Sequence, residues 1–445
     1  MFGRGAPVLP VLLLLALLAL PVTGPGGTDH GGGTVADVMS GVLVVLAVVG
    51  AVRRGGRPLH RTAAVVFGLP VVGIAVAATG AVDAATGASG LGRYLQVFVL
   101  VPVAVLLLVR SRAELRLVAW GFVALALVQG GIGVHQYATG TGASYMGADI
   151  RAVGTFGPTD VMGMASVVSY GVVCAVGLAL GTGRPGDARR GHGEVVRRGG
   201  ALVCAVALLV PLALSFSRGA WIATAVAVTA QLLLTGVRRA LAGFAVLTAA
   251  AIVLVGGVGV GTALLQERLG SITRVAAAPD QSVTDRYAMW AAALGMWQER
   301  PIAGVGLKNF PAHRDGHASL ALSSGSDTAG AGVGYQRQPL LSPHNMYLLV
   351  LSEQGLLGLL ALAGGWAALL VLAVRRLRAA RRRERAGPRG PDRLDPGTDC
   401  GLLACGVLVW QLVDFGYADI GGPATVLTAV GLGVAARWAL GADAR

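Results

Sequence analysis

Apolar stretches recur along the whole chain, separated by polar joints that are mostly short and arginine-rich. A helix needs about 17–25 mainly apolar residues to cross the hydrocarbon core of a bilayer. Read this way, the sequence predicts twelve spans, near 7–22, 35–52, 62–79, 93–109, 117–134, 160–180, 200–216, 220–236, 241–264, 345–374, 400–417 and 423–440. The first follows Arg4 as a leader peptide would, but it reads as an anchor, because the charge pattern is consistent with the segment being kept. The predicted fold is an all-α integral membrane protein with about twelve transmembrane helices. Residues 1–264 carry nine spans, 265–344 form one long outer loop, and 345–445 carry the last three spans with a basic linker at 375–399.

Composition agrees with the pattern. Of the 445 residues 54% are hydrophobic and only 13% charged, and mean hydropathy is +0.69. A soluble domain with that surface is excluded. The net charge of +14 would suggest nucleic acid in a soluble protein. Here the arginines fall between apolar runs, which points to topology and anionic headgroups instead, and no nucleic-acid partner is expected. Cys174, Cys204, Cys400 and Cys405 sit in or beside apolar runs, so neither a disulfide framework nor a zinc motif is expected.

Orientation follows from the cations. With the N-terminus in the cytoplasm, 26 of the 36 Lys and Arg fall on the inner side and 10 on the outer. Short inner joints are dense in arginine and short outer ones nearly free of it, as the positive-inside rule requires. Both termini are expected in the cytoplasm. The linker 375–399 reads as a contact with anionic membrane lipids. The 80-residue outer loop 265–344 is long enough to suggest a function. Within it, 285–300 has Tyr287, Trp290, Ala291, Leu294 and Trp297 on one helical face, suited to the membrane surface. Residues 311–342, rich in Gly, Ser, Ala and Asp, read as a mobile segment.

Outer arginines oppose the topological rule and are the first candidates for chemistry. Arg218 lies in Ser215-Phe-Ser-Arg-Gly-Ala220 at a tight outer turn, where a guanidinium beside the first amides of the next helix suits a phosphate; Ser217 and Gly219 permit close approach. The same arginine equally suits an interfacial anchor. Arg286 follows Asp285, and the pair suits either anion binding or a simple solvated helix start; Arg151, just before the sixth span, suits either ligand binding or a juxtamembrane anchor. His344, in Ser342-Pro-His-Asn-Met-Tyr347, is the acid–base candidate. It stands where the long loop re-enters the membrane, and a helix N-terminus disfavours imidazolium and so keeps a proton acceptor available. Asn345 and Tyr347 accompany it. Glu353, nine residues on and about 13 Å deeper at helical rise, and Asp414 are carboxylates within spans, functional groups or polar fasteners between helices. His313 and His317 have metal-like spacing, but no HExxH accompanies them, and Gly316 argues against a stable helix there. Asp-x-Asp occurs nowhere, so the usual carboxylate cradle for a metal on a sugar nucleotide is absent. No metal and no cofactor is expected, and arginine would have to neutralise any diphosphate.

At these residues the sequence resembles the O-antigen ligase and polymerase family of bacterial membrane glycosyltransferases. The likeness is carried by Ser215–Ala220; by Arg286 with Trp290, leading into Pro301-Ile-Ala-Gly-Val-Gly-Leu-Lys-Asn-Phe310; by His344-Asn345 with Tyr347, then Glu353-Gln-Gly355 and Gly358; and more weakly by 151–160. The family often shows Asn-Pro-Asn after Gly-Thr-Phe, where this chain has Gly157-Pro-Thr-Asp160. The resemblance implies a metal-independent transferase of the membrane-embedded GT-C type in the bacterial plasma membrane. Its donor would be a glycan on undecaprenyl diphosphate and its acceptor a glycan, lipid or protein hydroxyl. Arg218 and Arg286, with Arg151, would hold the diphosphate. His344 would act as general base, and Ser217, Asn345, Tyr347 and Glu353 would support it. The competing reading is a multi-span exporter of lipid-linked oligosaccharide. It would call for two similar halves, and neither Ser-Phe-Ser-Arg-Gly-Ala nor the His-Asn segment has a second copy.

Overall fold

The computed structural model describes residues 7–21, 34–55, 59–145, 148–157, 160–181, 188–236, 281–385, 397–422 and 424–441, with residues 241, 243 and 245. The predicted ninth span, the start of the long loop (265–280) and the middle of the basic linker therefore lie outside the described residues, apart from those three positions. The rest is a helical bundle capped at one end by a small sheet.

Eight helices are long and apolar enough to cross a membrane. They are α2 (Val35–Arg54), α3 (Arg61–Ala78), α4 (Ala84–Leu95) joined to α5 (Val101–Leu108) by a π turn, α6 (Arg112–Thr139), α7 (Gly163–Leu180), α8 (Ala188–Leu214), α9 (Arg218–Thr235) and α12 (Met346–Arg385). Three predicted spans are shorter helices, α1 (Leu9–Leu17), α13 (Thr398–Asp414) and α14 (Thr425–Leu440). The long loop contributes α10 (Gln281–Glu299) and α11 (Phe310–His317). Helix starts are chemically marked: Thr34 with Asp37 and Ser111 with Glu114 form reciprocal capping boxes, and Asp83 caps α4.

The core lies on α7 and α13, whose side chains are buried nearly all round. Small residues allow this closeness. A Cβ on Gly177 would come within 2.9 Å of the Leu403 backbone, and one on Gly171 within 2.2 Å of Ala126. Buried amides fasten helices across the core: Gln231 donates to Val173 and Leu402 carbonyls, and Gln129 to the Leu18 carbonyl and Thr155 hydroxyl. The valines of α2 point the other way, with Val38 68% and Val52 75% exposed, as on a surface that meets lipid.

At one end of the bundle arginines close helix C-termini. Arg437 binds the Val109 and Arg110 carbonyls, Arg376 those of Trp438 and Gly441, and Arg381 that of Leu234, while Arg116 pairs with Asp399 through two bonds. Cations there meet the negative ends of α5, α9 and α14. The arginines counted above as topological thus also complete the helix ends.

The opposite end departs from expectation in two places. Residues 311–342 are built rather than loose. Gly316 does not prevent α11, which Asn309 and Pro311 start at Phe310. The remainder forms β3 (Ser326–Gly330) and β4 (Val333–Gln338), which join β1 (Ala143–Tyr145) and β2 (Ala148–Arg151) in an antiparallel sheet of order β2-β1-β3-β4. Buried Asp285 accepts Ser323 N–H and hydroxyl and the Gln281 amide, which staples the segment to α10. Asp285 is therefore no solvated helix start. The sheet pairs residues as far apart as Ala143 and Gly330, and local composition carries no sign of that.

Helix α12 is broken at Gly355 (φ 64°, ψ −164°). Residues 301–306 fill the break: Val305 and Gly306 N–H donate to Ser352 and Glu353 carbonyls, and Leu356 and Leu357 N–H to those of Pro301 and Ile302. Only glycine permits this, since a Cβ on Gly355 would sit 2.3 Å from the Ile302 oxygen. Gly355→Ala is expected to destabilise the protein by about 2 kcal/mol or more, from the left-handed φ and the displaced backbone bonds. The measure is the thermal midpoint in detergent; an unchanged midpoint would mean the stitch carries no stability.

Candidate functional site

The candidate residues come from four separate stretches, and one short connection gathers most of them. Segment 415–422, between α13 and α14, lies at the sheet-bearing end. Met346 N–H is shared by the Phe415 and Ala418 carbonyls at 2.8 and 3.0 Å. The Asn345 amide donates to Gly416 O (3.2 Å), and Arg286 Nη1 to Tyr417 O (3.2 Å). Gly219, beside Arg218, abuts the Tyr417 side chain, where an added Cβ would be 3.1 Å away. The α9 N-terminus, α10 and the start of α12 therefore meet on residues 415–418.

Each candidate has a local reason for its place. Ser217 is the N-cap of α9: its oxygen accepts Ala220 N–H at 3.3 Å, and it is 4% exposed. Phe216 before it takes φ 49°, which turns the chain sharply into α9 and puts Arg218 on its first residue. Arg151 ends β2, and its neighbour Ala152 donates to the Leu214 carbonyl at 3.3 Å, so Arg151 borders the same α8–α9 turn. Trp290, one turn past Arg286, donates its indole N–H to Pro343 O at 2.9 Å and fixes α10 to the His344 segment.

His344 itself adopts φ 48°, an uncommon conformation for a side chain with a Cβ. It is held there from both sides, by Trp290 on Pro343 and by the bonds of Asn345 and Met346 to segment 415–418. Asn345 also caps α12 through Leu348 N–H (3.1 Å), and Tyr347 hydroxyl donates to Leu412 O (2.6 Å). Among the described residues no hydrogen bond reaches the His344 ring. Its pKa lies below the ordinary histidine value, chiefly through desolvation; Asp419 opposes the shift and Arg286 adds to it. The ring is therefore available as a neutral proton acceptor.

Asp419 is a residue that sequence reading passed over. It shares segment 415–422, acts electrostatically on His344, and keeps one buried carboxylate oxygen without a hydrogen-bond partner among the described residues, as Asp414 does. The signal was the run Asp414-Phe-Gly-Tyr-Ala-Asp419, two carboxylates around a glycine and an aromatic at an outer joint. The sequence marks Asp414 as a carboxylate within a span, but nothing in it singles out Asp419 in the joint that follows.

Glu353 has a different place. It is 2% exposed, accepts Phe310 N–H at 3.2 Å and Tyr94 hydroxyl at 3.5 Å, and thereby anchors the turn after Gly306. Lys308 on that turn takes φ 61°. The glycine-rich stretch 301–310 and Glu353 are thus one structural unit, the filling of the α12 break. His313 and His317 bond to carbonyls one turn back, and His317 also to Glu299 at 2.9 Å. Among the described residues no group of three His, Cys, Asp or Glu could hold a metal ion.

Residues 203–363 match the family model described as O-Antigen ligase. That stretch, about a third of the chain, is similar to the O-antigen ligase family. No curated protein and no solved structure matches the chain. The O-antigen ligase region runs from within α8 through α9, α10, α11 and the β3–β4 hairpin to the upper part of α12. It contains Arg218, Arg286 and His344 but stops before the segment on which they are assembled. Glycan transfer of the ligase or polymerase type, by a membrane protein using lipid-linked glycan, is the activity this family carries.

Proposed function

We propose that the protein transfers a glycan from an undecaprenyl-diphosphate-linked donor to an acceptor hydroxyl at the outer face of the bacterial plasma membrane, in the manner of GT-C enzymes and without a metal. The observation that carries this reading is the meeting of the Arg218 turn, Arg286 and the His344–Met346 segment at residues 415–418. His344 takes the proton of the acceptor hydroxyl as its oxygen attacks the anomeric carbon. The bond from that carbon to the diphosphate breaks, and the leaving group keeps the electron pair. Fixed guanidinium groups of Arg218 and Arg286, with Arg151 beside the same turn, meet the charge that develops there. The Asp419 carboxylate, which acts electrostatically on the ring, stabilises the imidazolium as it forms. Ser217, Asn345 and Tyr347 act on placement, holding α9 and α12 at their angles.

The donor reaches such a site sideways from the outer leaflet, and the arginine-closed end of the bundle then faces the cytoplasm with both termini. An acceptor glycan would make the protein a polymerase, and an acceptor lipid or protein a ligase. The decisive experiment is a reconstitution with purified undecaprenyl-diphosphate-linked glycan and candidate acceptors. Glycosylated product and free undecaprenyl diphosphate should appear together in equal amounts, with and without chelator. Donor crossing the bilayer with no product would establish the exporter instead.

A further inference from the structure

Segment 415–422 is fixed at its start by groups of the site itself. Its other end is fixed by two residues outside the site, which contact neither His344 nor the α9 turn in any described bond. The first is Arg93, in the last turn of α4. One guanidinium nitrogen donates to Gly422 O at 3.1 Å, and the other pairs with Asp37 Oδ1 at 2.5 Å and Gln96 Oε1 at 3.0 Å. Asp37 is held in turn: its second oxygen accepts Thr34 N–H and hydroxyl in the α2 capping box, and Gln96 donates to Asp37 and to Ser40. Gln96 also opens the π turn between α4 and α5, an irregularity that often marks a functional place.

The second is Asp160, just ahead of α7. It is 9% exposed and its Oδ2 accepts Ala424 N–H at 3.2 Å. Gly422, at φ 67°, leaves room for it; a Cβ there would stand 2.7 Å from the same oxygen. Burial pushes the Asp160 carboxyl up to about 6, while the Ala424 and Gly163 N–H groups oppose the rise. One clamp thus reaches the segment from α2 and α4, and the other from α7.

We infer that Arg93 and Asp160 are positioning residues for transfer, acting through segment 415–422 on His344 and Arg286. The inference rests on the function proposed above. It explains why Arg93, an outer arginine that the positive-inside rule leaves unaccounted for, is tied to Asp37, Gln96 and Gly422 rather than turned to headgroups. A misplacement of about 1 Å far from the chemistry costs up to about 100-fold in rate. The segment bears both Asp419 and the carbonyls on which Asn345, Met346 and Arg286 are seated, so loosening it moves the acceptor end of the reaction.

The test is steady-state transfer from undecaprenyl-diphosphate-linked glycan in proteoliposomes. Arg93→Ala and Asp160→Ala should each lower kcat about 10–100-fold, with donor KM and thermal midpoint near those of the parent. Asp37→Ala should mimic Arg93→Ala, and the pair together should lose little more than either, because both dismantle one clamp. Asp160→Asn keeps an acceptor oxygen and should recover most of the rate. If an alanine variant does not fold, Arg93→Lys supplies the reading, since lysine keeps the charge but cannot bridge two partners. Unchanged kcat in folded Arg93→Ala, Arg93→Lys or Asp160→Ala overturns the inference. So does an Asp160→Asn variant as slow as Asp160→Ala. The His344→Ala variant separates the two levels: an active one refutes the function proposed above, whereas an inactive one beside normal clamp variants refutes only the positioning role.

Discussion

His344→Ala is expected to lose transfer by roughly 10²–10⁴-fold, the range that general-base assistance supplies, while keeping its fold and its hold on the donor. The side chain lies at a helix start with no hydrogen bond to its ring among the described residues, so its removal should leave the bonds of Pro343, Asn345 and Met346 in place. The pH dependence of the parent protein provides an independent reading. Imidazolium cannot accept a proton, so turnover falls as pH drops through the pKa of His344. Desolvation and Arg286 hold that pKa below the ordinary value of 6.5 against the pull of Asp419, and the acid limb should lie below that value. The measurement is single-turnover transfer in proteoliposomes from pH 5 to 8. Near-parental turnover by the alanine variant would reduce His344 to a structural residue, whatever the profile looked like.

Much of this arrangement was legible in the chain because its signals are local. Apolar runs and arginine-rich joints predict the spans, and α2, α3, α6, α7 and α9 begin and end within a few residues of the expected limits. Ser217 and Asn345 are short-range caps and stand where a helix start demands them. What stayed hidden depends on pairing between distant stretches. The sheet joins residues 143–151 to 326–338, and neither stretch has the alternation of a half-buried strand. The break in α12 was equally unreadable, since Gly355 alone is an ordinary glycine in a membrane helix and only the approach of residues 301–306 gives it a purpose. Segment 415–422 was passed over for a third reason. Its contribution is made largely by backbone carbonyls, to which Asn345, Met346, Arg286 and Arg93 all bind, and carbonyls leave no mark in side-chain composition. The helical face of 285–300 shows both outcomes at once. Its apolar row is real, yet Tyr287 remains 49% and Leu294 39% exposed, and the protein side of α10 is the row Asp285, Ala288, Met289, Ala292, Ala293 and Met296.

Arg218→Lys is expected to be nearly as damaging as the loss of the base. Of the two arginines assigned to the diphosphate, Arg286 has a described structural duty, since its Nη1 holds the Tyr417 carbonyl; a substitution there would disturb segment 415–418 as well as any bound anion. Arg218 stands on the first residue of α9, with Ser217 capping the helix through its own oxygen and Gly219 packed on Tyr417, so the turn should survive the change. Lysine retains the positive charge and the helix end retains its free amides. What disappears is the planar fork that engages two phosphate oxygens together. If that fork meets the charge developing on the leaving diphosphate, kcat should fall by roughly 10²–10³-fold, as when one preorganised donor is removed from an anionic transition state. Donor affinity should fall too, because the ground-state diphosphate already carries most of that charge. An interfacial anchor behaves otherwise, for lysine reaches headgroups as well as arginine does. Parallel kcat and donor KM measurements on Arg218→Lys therefore separate the two roles, and a variant matching the parent in both would remove Arg218 from the site.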